Sequence, residues 1–451
     1  MSARAADLIV IGTGSAGAGV AQRCRRAGWS VLVVESRPVG GTCALRGCDP
    51  KKILVGAADA VAAVRRLEGR GTTGDARIDW PALMTFKRSL IEPMSTQRER
   101  SLVDAGITLR HGQARFVGPT SVAIHDEVWT GRFVHIATGA MPATLGIPGE
   151  HHLTTSEAFL ELESLPHRLA FVGGGFISFE FAHVAARAGA AVTILHRGPR
   201  PLPLFDPDLV DRLVAHSRDL GIDVQVDAAV EAVERVGEEY VVRVRQHGDV
   251  RQVAADLVVH GAGRVPEIAD LALDAAGVEW DPRRGVRVNA YLQSVSNPAV
   301  FAAGDAADTG GPALTPVAGY EARLVGANLL EGLHHTADYA VVPSVAFTLP
   351  PLATVGMSEA AARATGRAVR VQYADTASWY SSRRIGETAS ASKVLIEEDS
   401  GRILGAHLLG PHADETINLF ALAMKTGATA ADLKAMIFAY PTHASDVAYM
   451  V

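Results

Sequence analysis

Three features of the sequence predict an α/β protein with two Rossmann-like domains followed by a C-terminal α+β domain. Two segments, one at the N-terminus and one near the middle of the chain, each follow the order strand, glycine-rich turn, helix, strand. Roughly the last hundred residues instead combine short strands with one apolar helix. At 451 residues the chain is long enough for about three such domains.

The N-terminal segment carries a complete dinucleotide-binding pattern. An apolar strand ending at Ile11 precedes Gly12, Gly14 and Gly17, and the strand after the helix ends at Glu35. In this pattern the glycines allow a tight turn, close approach of a pyrophosphate and close packing of helix on strand. The acidic residue about twenty positions later accepts a hydrogen bond from a ribose hydroxyl. The segment therefore predicts a dinucleotide site.

The second glycine turn contains Gly173 and Gly175 but has Ser178 in the third glycine position. The strand that follows ends near Arg197, and Arg200 lies close by. No carboxylate is placed there to accept hydrogen bonds from the ribose hydroxyls. Cationic side chains at this point favour the 2′-phosphate of NADP over NAD. The other interpretation is that both arginines are solvated loop residues.

Two cysteines, Cys43 and Cys48, follow the strand that ends at Glu35. A separation of five residues suits an irregular helical turn better than a regular helix for bringing two sulfurs together. Beside a redox cofactor they are candidates for an electron relay, and the alternative is a pair of buried, unpaired thiols. The third cysteine, Cys24, lies in the middle of the first helix and is expected to pack in the hydrophobic core.

Composition narrows the class of protein. The 43 Lys and Arg against 49 Asp and Glu give a net charge of −6, which lacks the basic field that nucleic acids attract. No apolar stretch approaches the roughly 18 to 20 residues that span a bilayer, and no export signal is evident. Three cysteines are too few for a disulfide framework. We expect a cytoplasmic protein without nucleic-acid or membrane partners.

Several motifs together resemble one family, the class I pyridine nucleotide-disulfide oxidoreductases, which includes glutathione, mycothiol and mercuric reductases and dihydrolipoamide dehydrogenase. Gly40-Gly41-Thr42-Cys43, Cys48 and Pro50-Lys51 resemble its redox signature. Four more segments resemble family segments in the same order: Ala137-Thr138-Gly139, Gly263-Arg264-Val265-Pro266, Phe301-Ala302-Ala303-Gly304-Asp305 and Phe347-Thr348-x-Pro350. The resemblance covers essentially the whole chain.

The resemblance implies a homodimeric FAD enzyme with a division of the chain into four parts. These are 1–144, the first part of the FAD-binding domain; 145–267, the NAD(P)H-binding domain; 268–338, a central segment that completes the FAD site; and 339–451, the dimerisation domain. NADPH is the expected electron donor, and NADH is less favoured.

The resemblance also implies a relay of electrons. NADPH reduces FAD, reduced FAD opens a Cys43–Cys48 disulfide, Cys48 stays beside the flavin as a charge-transfer thiolate, and Cys43 attacks a small disulfide. The reverse reaction would oxidise a small dithiol. Lys51 and Glu180 match the ion pair that the family places near the flavin, and Phe176 matches its gate over the nicotinamide pocket.

The expected cofactor-binding residues follow from the two glycine turns and from the resemblance. For FAD they are Gly12, Gly14, Gly17, Glu35, Gly41, Thr42, Thr138, Gly139 and Asp305. For NADPH they are Gly173, Gly175, Phe176, Arg197 and Arg200, and Arg264 completes the set. No metal site is expected.

The C-terminal segment departs from the family pattern. Where family disulfide reductases have His-Pro-Thr and a following Glu, with the histidine supplied by the partner subunit as proton donor, this chain has Tyr440-Pro-Thr and Asp446. A tyrosine, with a reference pKa near 10, exchanges protons poorly at neutral pH. His443 is the alternative donor, or else an ordinary surface or interface histidine.

Two alternative functions keep the family resemblance but not disulfide exchange. In one, electrons leave the flavin or the cysteines for a quinone, a metal ion or dioxygen, none of which needs a proton donor at Tyr440. In the other, the chain is a redox-sensing flavoprotein with little turnover. Gln22 and Arg98 stand where glutathione reductases have glutathione-binding side chains, which weakens glutathione disulfide as the substrate.

Overall fold

The structure is a computed structural model that describes residues 4–451 as two compact units. The first unit comprises the chain through Lys51, Phe86–Ala143 and Arg264–Tyr339. The second comprises Lys52–Thr85, Thr144–Gly263 and Ala340–Val451. The predicted α/β fold is confirmed, whereas the division into four domains stays a prediction.

The α-helices of the described residues vary in length from one turn to seven. They are α1 Ser15–Arg26, α2 Gly41–Arg46, α3 Cys48–Arg66, α4 Trp80–Asp104, α5 Ser156–Phe159, α6 Phe176–Arg187, α7 Pro207–Asp219, α8 Thr315–Glu331, α9 Glu359–Ala364, α10 Tyr380–Arg383, α11 Ala413–Thr426, α12 Ala430–Ala435 and α13 Val447–Met450.

The strands follow in chain order. They are β1 Arg4–Ile11, β2 Val31–Glu35, β3 Thr108–His111, β4 Ala114–Phe116, β5 Ser121–Ile124, β6 Glu127–Ile136, β7 Ala140–Pro142, β8 Arg168–Val172, β9 Ala191–Leu195, β10 Ile222–Gln225, β11 Ala228–Val236, β12 Glu239–Gln246, β13 Asp249–Ala255, β14 Leu257–His260, β15 Arg264–Pro266, β16 Trp280–Asp281, β17 Gly285–Arg287, β18 Val300–Ala302, β19 Ala307–Asp308, β20 Ser344–Ala346, β21 Leu352–Gly356, β22 Val369–Asp375, β23 Ala391–Glu397 and β24 Ile403–Leu409.

The main sheet of the first unit has the order β3-β2-β1-β6-β5-β4, with β18 also paired to β6. The strands β3, β2, β1, β6 and β18 run parallel. Leu8, Ile9 and Val10 on β1 are fully buried. Consecutive buried residues indicate that both faces of the parallel sheet are covered, which explains why the strand is apolar throughout. The glycine turn after β1 therefore lies at the carboxyl edge of this sheet, where dinucleotides bind in such folds.

The second unit contains a parallel sheet and two antiparallel sheets. The parallel sheet has the order β10-β9-β8-β14, with α6 joining β8 to β9. An antiparallel sheet of β11, β12 and β13 follows in the chain. The C-terminal sheet has the order β20-β21-β24-β23-β22, and α11 packs on it through buried Ile417 and Phe420. This segment has the predicted α+β character.

No helix within residues 4–451 combines the length and the apolar character that crossing a membrane requires.

Candidate active site

Gly12 and Gly17 of the first glycine turn, and Gly41 beside it, have no room for a side chain. Gly12 has a φ of +102°, and a Cβ there would lie 2.4 Å from the carbonyl oxygen of Ala137. A Cβ at Gly17 would lie 2.0 Å from the carbonyl oxygen of Gly12, so helix α1 packs directly against the turn. Gly41 has a φ of +75°, and a Cβ there would lie 2.4 Å from the Cα of Gly14. Bare backbone on both sides suits a pyrophosphate.

Glu35 lies at the carboxyl end of β2, as the fingerprint predicts. Its carboxylate is buried and accepts hydrogen bonds from the backbone N–H of Thr13 at 3.0 Å, the hydroxyl of Thr13 at 2.5 Å and the backbone N–H of Arg37 at 3.0 Å. A carboxylate has about four lone-pair directions, so one remains for a ribose hydroxyl. The three bonds fix the orientation of that acceptor.

Two more of the residues expected to bind FAD, Thr138 and Asp305, have surroundings that suit the group. The buried hydroxyl of Thr138 has no hydrogen-bond partner among residues 4–451, so it is available to a ligand. The Asp305 carboxyl follows β18, and burial raises its pKa while the charge of Arg264 partly opposes that rise. Arg264 donates a hydrogen bond to the carbonyl oxygen of Ala140. The first unit thus supplies bare backbone, an unpartnered hydroxyl and two carboxylates.

A helix break brings the two cysteines together. Cys43 lies in α2 and Cys48 begins α3, and the helical path is interrupted at Gly47, where φ is −146° and ψ is −106°. A Cβ at Gly47 would lie 3.1 Å from the carbonyl oxygen of Thr42. This break allows two residues five positions apart to make a side-chain hydrogen bond, which a regular helix would not permit. Both are free thiols in the structure.

The two thiols differ in acidity. The hydrogen bond from Cys43 is the main cause that lowers the pKa of Cys48 to about 6, and the hydroxyl of Thr315 and the charge of Lys51 act in the same direction. The pKa of Cys43 is raised, first by the same hydrogen bond and then by burial. Burial and, to a smaller extent, the charge of Asp49 oppose this lowering of the Cys48 pKa. Near neutral pH the pair therefore holds one proton, on Cys43, and one negative charge, on Cys48.

Thr315 is a site residue that sequence analysis missed. Its hydroxyl lies 3.5 Å from the sulfur of Cys48, and Thr315 is the first residue of α8. A hydroxyl donor and a helix N-terminus both stabilise a thiolate. The only available signal was the Leu-Thr-Pro sequence that begins the helix, which by itself does not indicate contact with a cysteine.

The acidity of Cys48 gives a pH-dependent spectroscopic signal. In two-electron-reduced holoenzyme, we expect the long-wavelength absorbance of a thiolate beside a flavin to fall as pH decreases through about 6. Thr315→Val should move this titration to higher pH and reduce the band roughly three- to tenfold at pH 6, because a hydrogen bond to the thiolate is lost. Thr315→Ser is the matched control and should titrate as the native protein does. A midpoint near 8.5 in the native protein would contradict this account of Cys48.

The second turn accommodates Ser178 through a compensating glycine. A Cβ at Gly173 would lie 2.5 Å from the carbonyl oxygen of Gly261, and Gly175 also approaches that oxygen. A Cβ at Gly261 would lie 1.9 Å from the hydroxyl of Ser178. The side chain missing from Gly261 therefore leaves the space that Ser178 fills, and the turn keeps its close packing without the third glycine.

The loop after β9 differs from the sequence expectation in one respect. Arg200 forms a bidentate ion pair with Asp211 of α7, at 2.8 and 3.0 Å, so its guanidinium already has a carboxylate partner. Arg197 is exposed and has no hydrogen bond or ion pair to any described residue of the chain. His196 accepts from the N–H of Gly174 and donates to the carbonyl of Arg200, at 3.2 and 2.9 Å, which holds the loop against the turn. Arg197 is therefore the stronger candidate for a 2′-phosphate.

The roles that the family resemblance implies for Lys51, Glu180 and Phe176 stay predictions, and the structure shows the surroundings of each side chain. Lys51 is buried, and its charge favours the thiolate of Cys48. Glu180 is 2% exposed and accepts a hydrogen bond from the backbone N–H of Phe347 at 2.8 Å. Phe176, at the start of α6, is 48% exposed, which suits a side chain that contacts a ligand.

The two proposed proton donors have opposite environments. Tyr440 is 79% exposed, so its phenol is accessible. The ring of His443 lies 4.7 Å from that of His412, and its Nε2 is buried with no hydrogen-bond partner among residues 4–451. Burial, with the neighbouring His412 and Arg384, lowers the pKa of His443 to about 4. His443 is therefore a neutral imidazole at pH 7 and lacks the second ring proton that an imidazolium would donate as a general acid.

The C-terminal segment exposes large apolar side chains. Met436, Ile437, Tyr380 and Tyr449 are each more than half exposed, and Ile437 is 96% exposed. Exposed large apolar side chains that adjoin one another are typical of surfaces that another protein covers, and Met436 and Ile437 are adjacent in the chain.

Two family matches together cover most of the chain. Residues 6–322 match the family described as pyridine nucleotide-disulphide oxidoreductase. Residues 342–451 match the dimerisation domain of the same family, which suggests a homodimer.

Characterised relatives show the same family. The chain is 31% identical over 442 residues to a mercuric reductase of Bacillus cereus, which covers 97% of this chain and 70% of that protein. It is 32% identical over 441 residues to a glutathione reductase of Burkholderia cepacia, with 98% of this chain and 97% of that one covered. A dihydrolipoyl dehydrogenase of Thermus scotoductus is 32% identical over 440 residues, with 97% and 94% covered.

A solved structure of a flavoprotein disulfide reductase also resembles this chain over its whole length. The Cu(II) complex of the HOCl-induced flavoprotein disulfide reductase RclA from Escherichia coli matches with a TM-score of 0.89 and 30% identity, covering 100% of this chain and 99% of that one. The chain therefore belongs to the class I pyridine nucleotide-disulfide oxidoreductases, a family dependent on FAD and NAD(P)H, and it is a flavoprotein disulfide oxidoreductase.

Proposed function

We propose that this enzyme uses NADPH to reduce a small disulfide, or catalyses the reverse oxidation of a dithiol, through Cys43 and Cys48. The observation that carries the proposal is the hydrogen-bonded thiol pair, in which Cys48 is favoured as a thiolate and Cys43 keeps the proton. This pair belongs to the same unit as the first dinucleotide turn. Two cysteines that only packed in the core would have no need for a lowered pKa on one of them, so the acidity of Cys48 favours a redox role for the pair.

Bound FAD supplies two-electron transfer between a nicotinamide and the cysteine pair. The residues proposed to hold it are the backbone of Gly12, Gly14 and Gly41, together with Glu35 and Asp305. The glycines offer N–H groups and space, and Glu35 offers its remaining lone pair. Thr42, Thr138 and Gly139 complete the proposed set.

The thiol chemistry follows from the protonation of the pair. Transfer of the proton from Cys43 to Cys48 across their hydrogen bond makes Cys43 the nucleophile. Cys43 attacks one sulfur of the substrate, forms a mixed disulfide and releases the first substrate thiolate. Cys48, once deprotonated, attacks the sulfur of Cys43 and releases the second. The pair with one proton, plus substrate disulfide and one further proton, yields a Cys43–Cys48 disulfide and two thiols.

NADPH is proposed as the donor because Arg197 is exposed and free of protein partners among the described residues. Arg197→Glu should lower kcat/KM for NADPH by about tenfold to a hundredfold, since it replaces a charge-assisted contact with repulsion. The value for NADH should change much less. Steady-state kinetics with both coenzymes measure this.

Arg200→Ala is the matched control for that experiment. Arg200 is already paired with Asp211, so its removal should change the ratio of NADPH to NADH efficiency less than Arg197→Glu does. Equal use of both coenzymes by the native enzyme would contradict the assignment of NADPH.

Reduction of a metal ion is the second candidate function. Tyr440 supports it, because a tyrosine replaces the usual proton donor. A relative is named mercuric reductase, and a similar solved structure is the Cu(II) complex of a flavoprotein disulfide reductase. Within residues 4–451 no three His, Cys, Asp or Glu side chains are grouped to hold a metal ion.

A panel of acceptors separates these functions. We expect NADPH oxidation to be fastest with a small disulfide whose leaving thiol is acidic, and slow with glutathione disulfide. Faster turnover with Cu(II), Hg(II), a quinone or dioxygen than with any disulfide would favour the second function. Negligible turnover with every acceptor would favour a redox sensor.

A further inference from the structure

A buried carboxylate contacts the turn that contains Asp305. Glu321, on α8, is only 1% exposed. One of its oxygens accepts from the backbone N–H of Gly304 at 2.6 Å, and the other accepts from the hydroxyl of Tyr339 at 2.6 Å. Burying a carboxylate is costly unless its hydrogen bonds are made, and here both oxygens have a donor.

The turn at Gly304 depends on an acceptor from outside itself. Gly304 follows β18 with a φ of +66°, and a Cβ there would lie 3.2 Å from the Cβ of Ala16 and 3.3 Å from the Cβ of Ala318. The turn is thus packed between α1 and α8, and its first N–H needs a partner. Glu321 supplies that partner, and it therefore fixes the direction in which Asp305 leaves the turn.

Tyr339 connects the same carboxylate to the following loop. The Tyr339 ring lies against the backbone of Gly311, where a Cβ would lie 2.6 Å from the ring. Residue 311 belongs to the loop between Asp305 and Thr315, the residue whose hydroxyl contacts Cys48. Tyr320 packs edge-on against Tyr339, with 6.4 Å between ring centroids. Its hydroxyl accepts from the backbone N–H of Asp338 at 3.0 Å.

We propose that Glu321, held by Tyr339, is a positioning residue for FAD that acts by orienting Gly304 and Asp305. The inference rests on the proposed binding of FAD by Asp305. Neither Glu321 nor Tyr339 belongs to a glycine turn or to the cysteine motif; the role proposed for them rests on the Glu321 carboxylate, which is hydrogen-bonded to both Gly304 and Tyr339.

The test compares FAD binding by variants of Glu321. Glu321→Met removes the acceptor at similar side-chain length, and the FAD dissociation constant of the apoprotein should rise by about tenfold to a hundredfold. Glu321→Gln keeps a carbonyl oxygen for Gly304 and should restore most of the affinity. Tyr339→Phe should have an intermediate effect, and Tyr320→Phe, the matched control, should have none. Quenching of FAD fluorescence measures affinity, and the melting temperature of each apoprotein is measured in parallel.

The outcomes separate this inference from the proposed function. If Glu321→Met binds FAD as tightly as the native protein, or if glutamine fails to restore affinity and the loss follows apoprotein stability alone, the inference is overturned. Asp305→Ala tests the proposed binding of FAD by Asp305 independently of Glu321. If it weakens FAD binding while Glu321→Met does not, only the inference falls. If it leaves FAD binding unchanged, the assignment of Asp305 falls as well.

Discussion

Cys43→Ser should lower disulfide turnover by about a thousandfold or more, because it removes the group that attacks the substrate. Cys48→Ser should have a loss of similar size, since the mixed disulfide on Cys43 could no longer be resolved within the chain. The two variants should differ in their spectra. With oxidised FAD, Cys43→Ser should show the Cys48 thiolate and its long-wavelength absorbance without added reductant and lose the band once the flavin is reduced, whereas Cys48→Ser should lack the band in either state.

Cys24→Ala is the matched control for these variants. Cys24 is fully buried in α1 and packs in an apolar cluster of the first unit that contains neither Cys43 nor Cys48. Its replacement should leave turnover and spectra unchanged. Opposite spectra for the Cys43 and Cys48 variants would reverse the two roles, and normal turnover in both would make the thiols structural.

Tyr440→His should raise turnover on ordinary alkyl disulfides by up to about a hundredfold. The departing thiolate needs a proton, and a well-placed general acid contributes about 10² to 10⁴ in rate. With a pKa near the usual imidazole value of about 6.5, the new side chain is protonated and able to donate below that pH. Activity of the variant should therefore decrease as pH rises through that value. Steady-state rates from pH 5 to 9 measure the effect.

Two further variants control for this prediction. Tyr440→Phe should change turnover little if the phenol only packs, and substantially if it donates to the substrate. His443→Ala should have little effect, because His443 is neutral near pH 7. High native turnover on glutathione disulfide that His443→Ala abolishes and Tyr440→Phe does not would show that His443 is the donor.

The fold and the first dinucleotide turn could be predicted because their signals are local. Gly12, Gly17 and Glu35 lie within one strand–turn–helix–strand segment, and each has a steric or hydrogen-bonding requirement that the residue type reveals. The cysteine pair was also indicated locally. Gly47, which lies between the cysteines, is where the helix breaks and makes their contact possible.

The rest of the candidate site depends on residues that are distant in the sequence. Thr315 lies 267 residues from Cys48, and no sequence pattern connects them. The ion pair of Arg200 with Asp211 requires α7 to lie beside the loop, which composition does not reveal. The fit of Ser178 likewise depends on the absence of a side chain at Gly261.

The most direct test of the proposed relay is a count of thiols after anaerobic reduction by NADPH. Oxidised holoenzyme is mixed with one equivalent of NADPH, denatured in an alkylating reagent, and digested with trypsin, which cleaves after Arg46 and separates Cys43 from Cys48. We predict that both cysteines change from unlabelled to labelled, while Cys24 is labelled with and without NADPH. Cysteines that stay unlabelled after the coenzyme has been consumed, or that are already labelled before it is added, would contradict electron transfer through this pair.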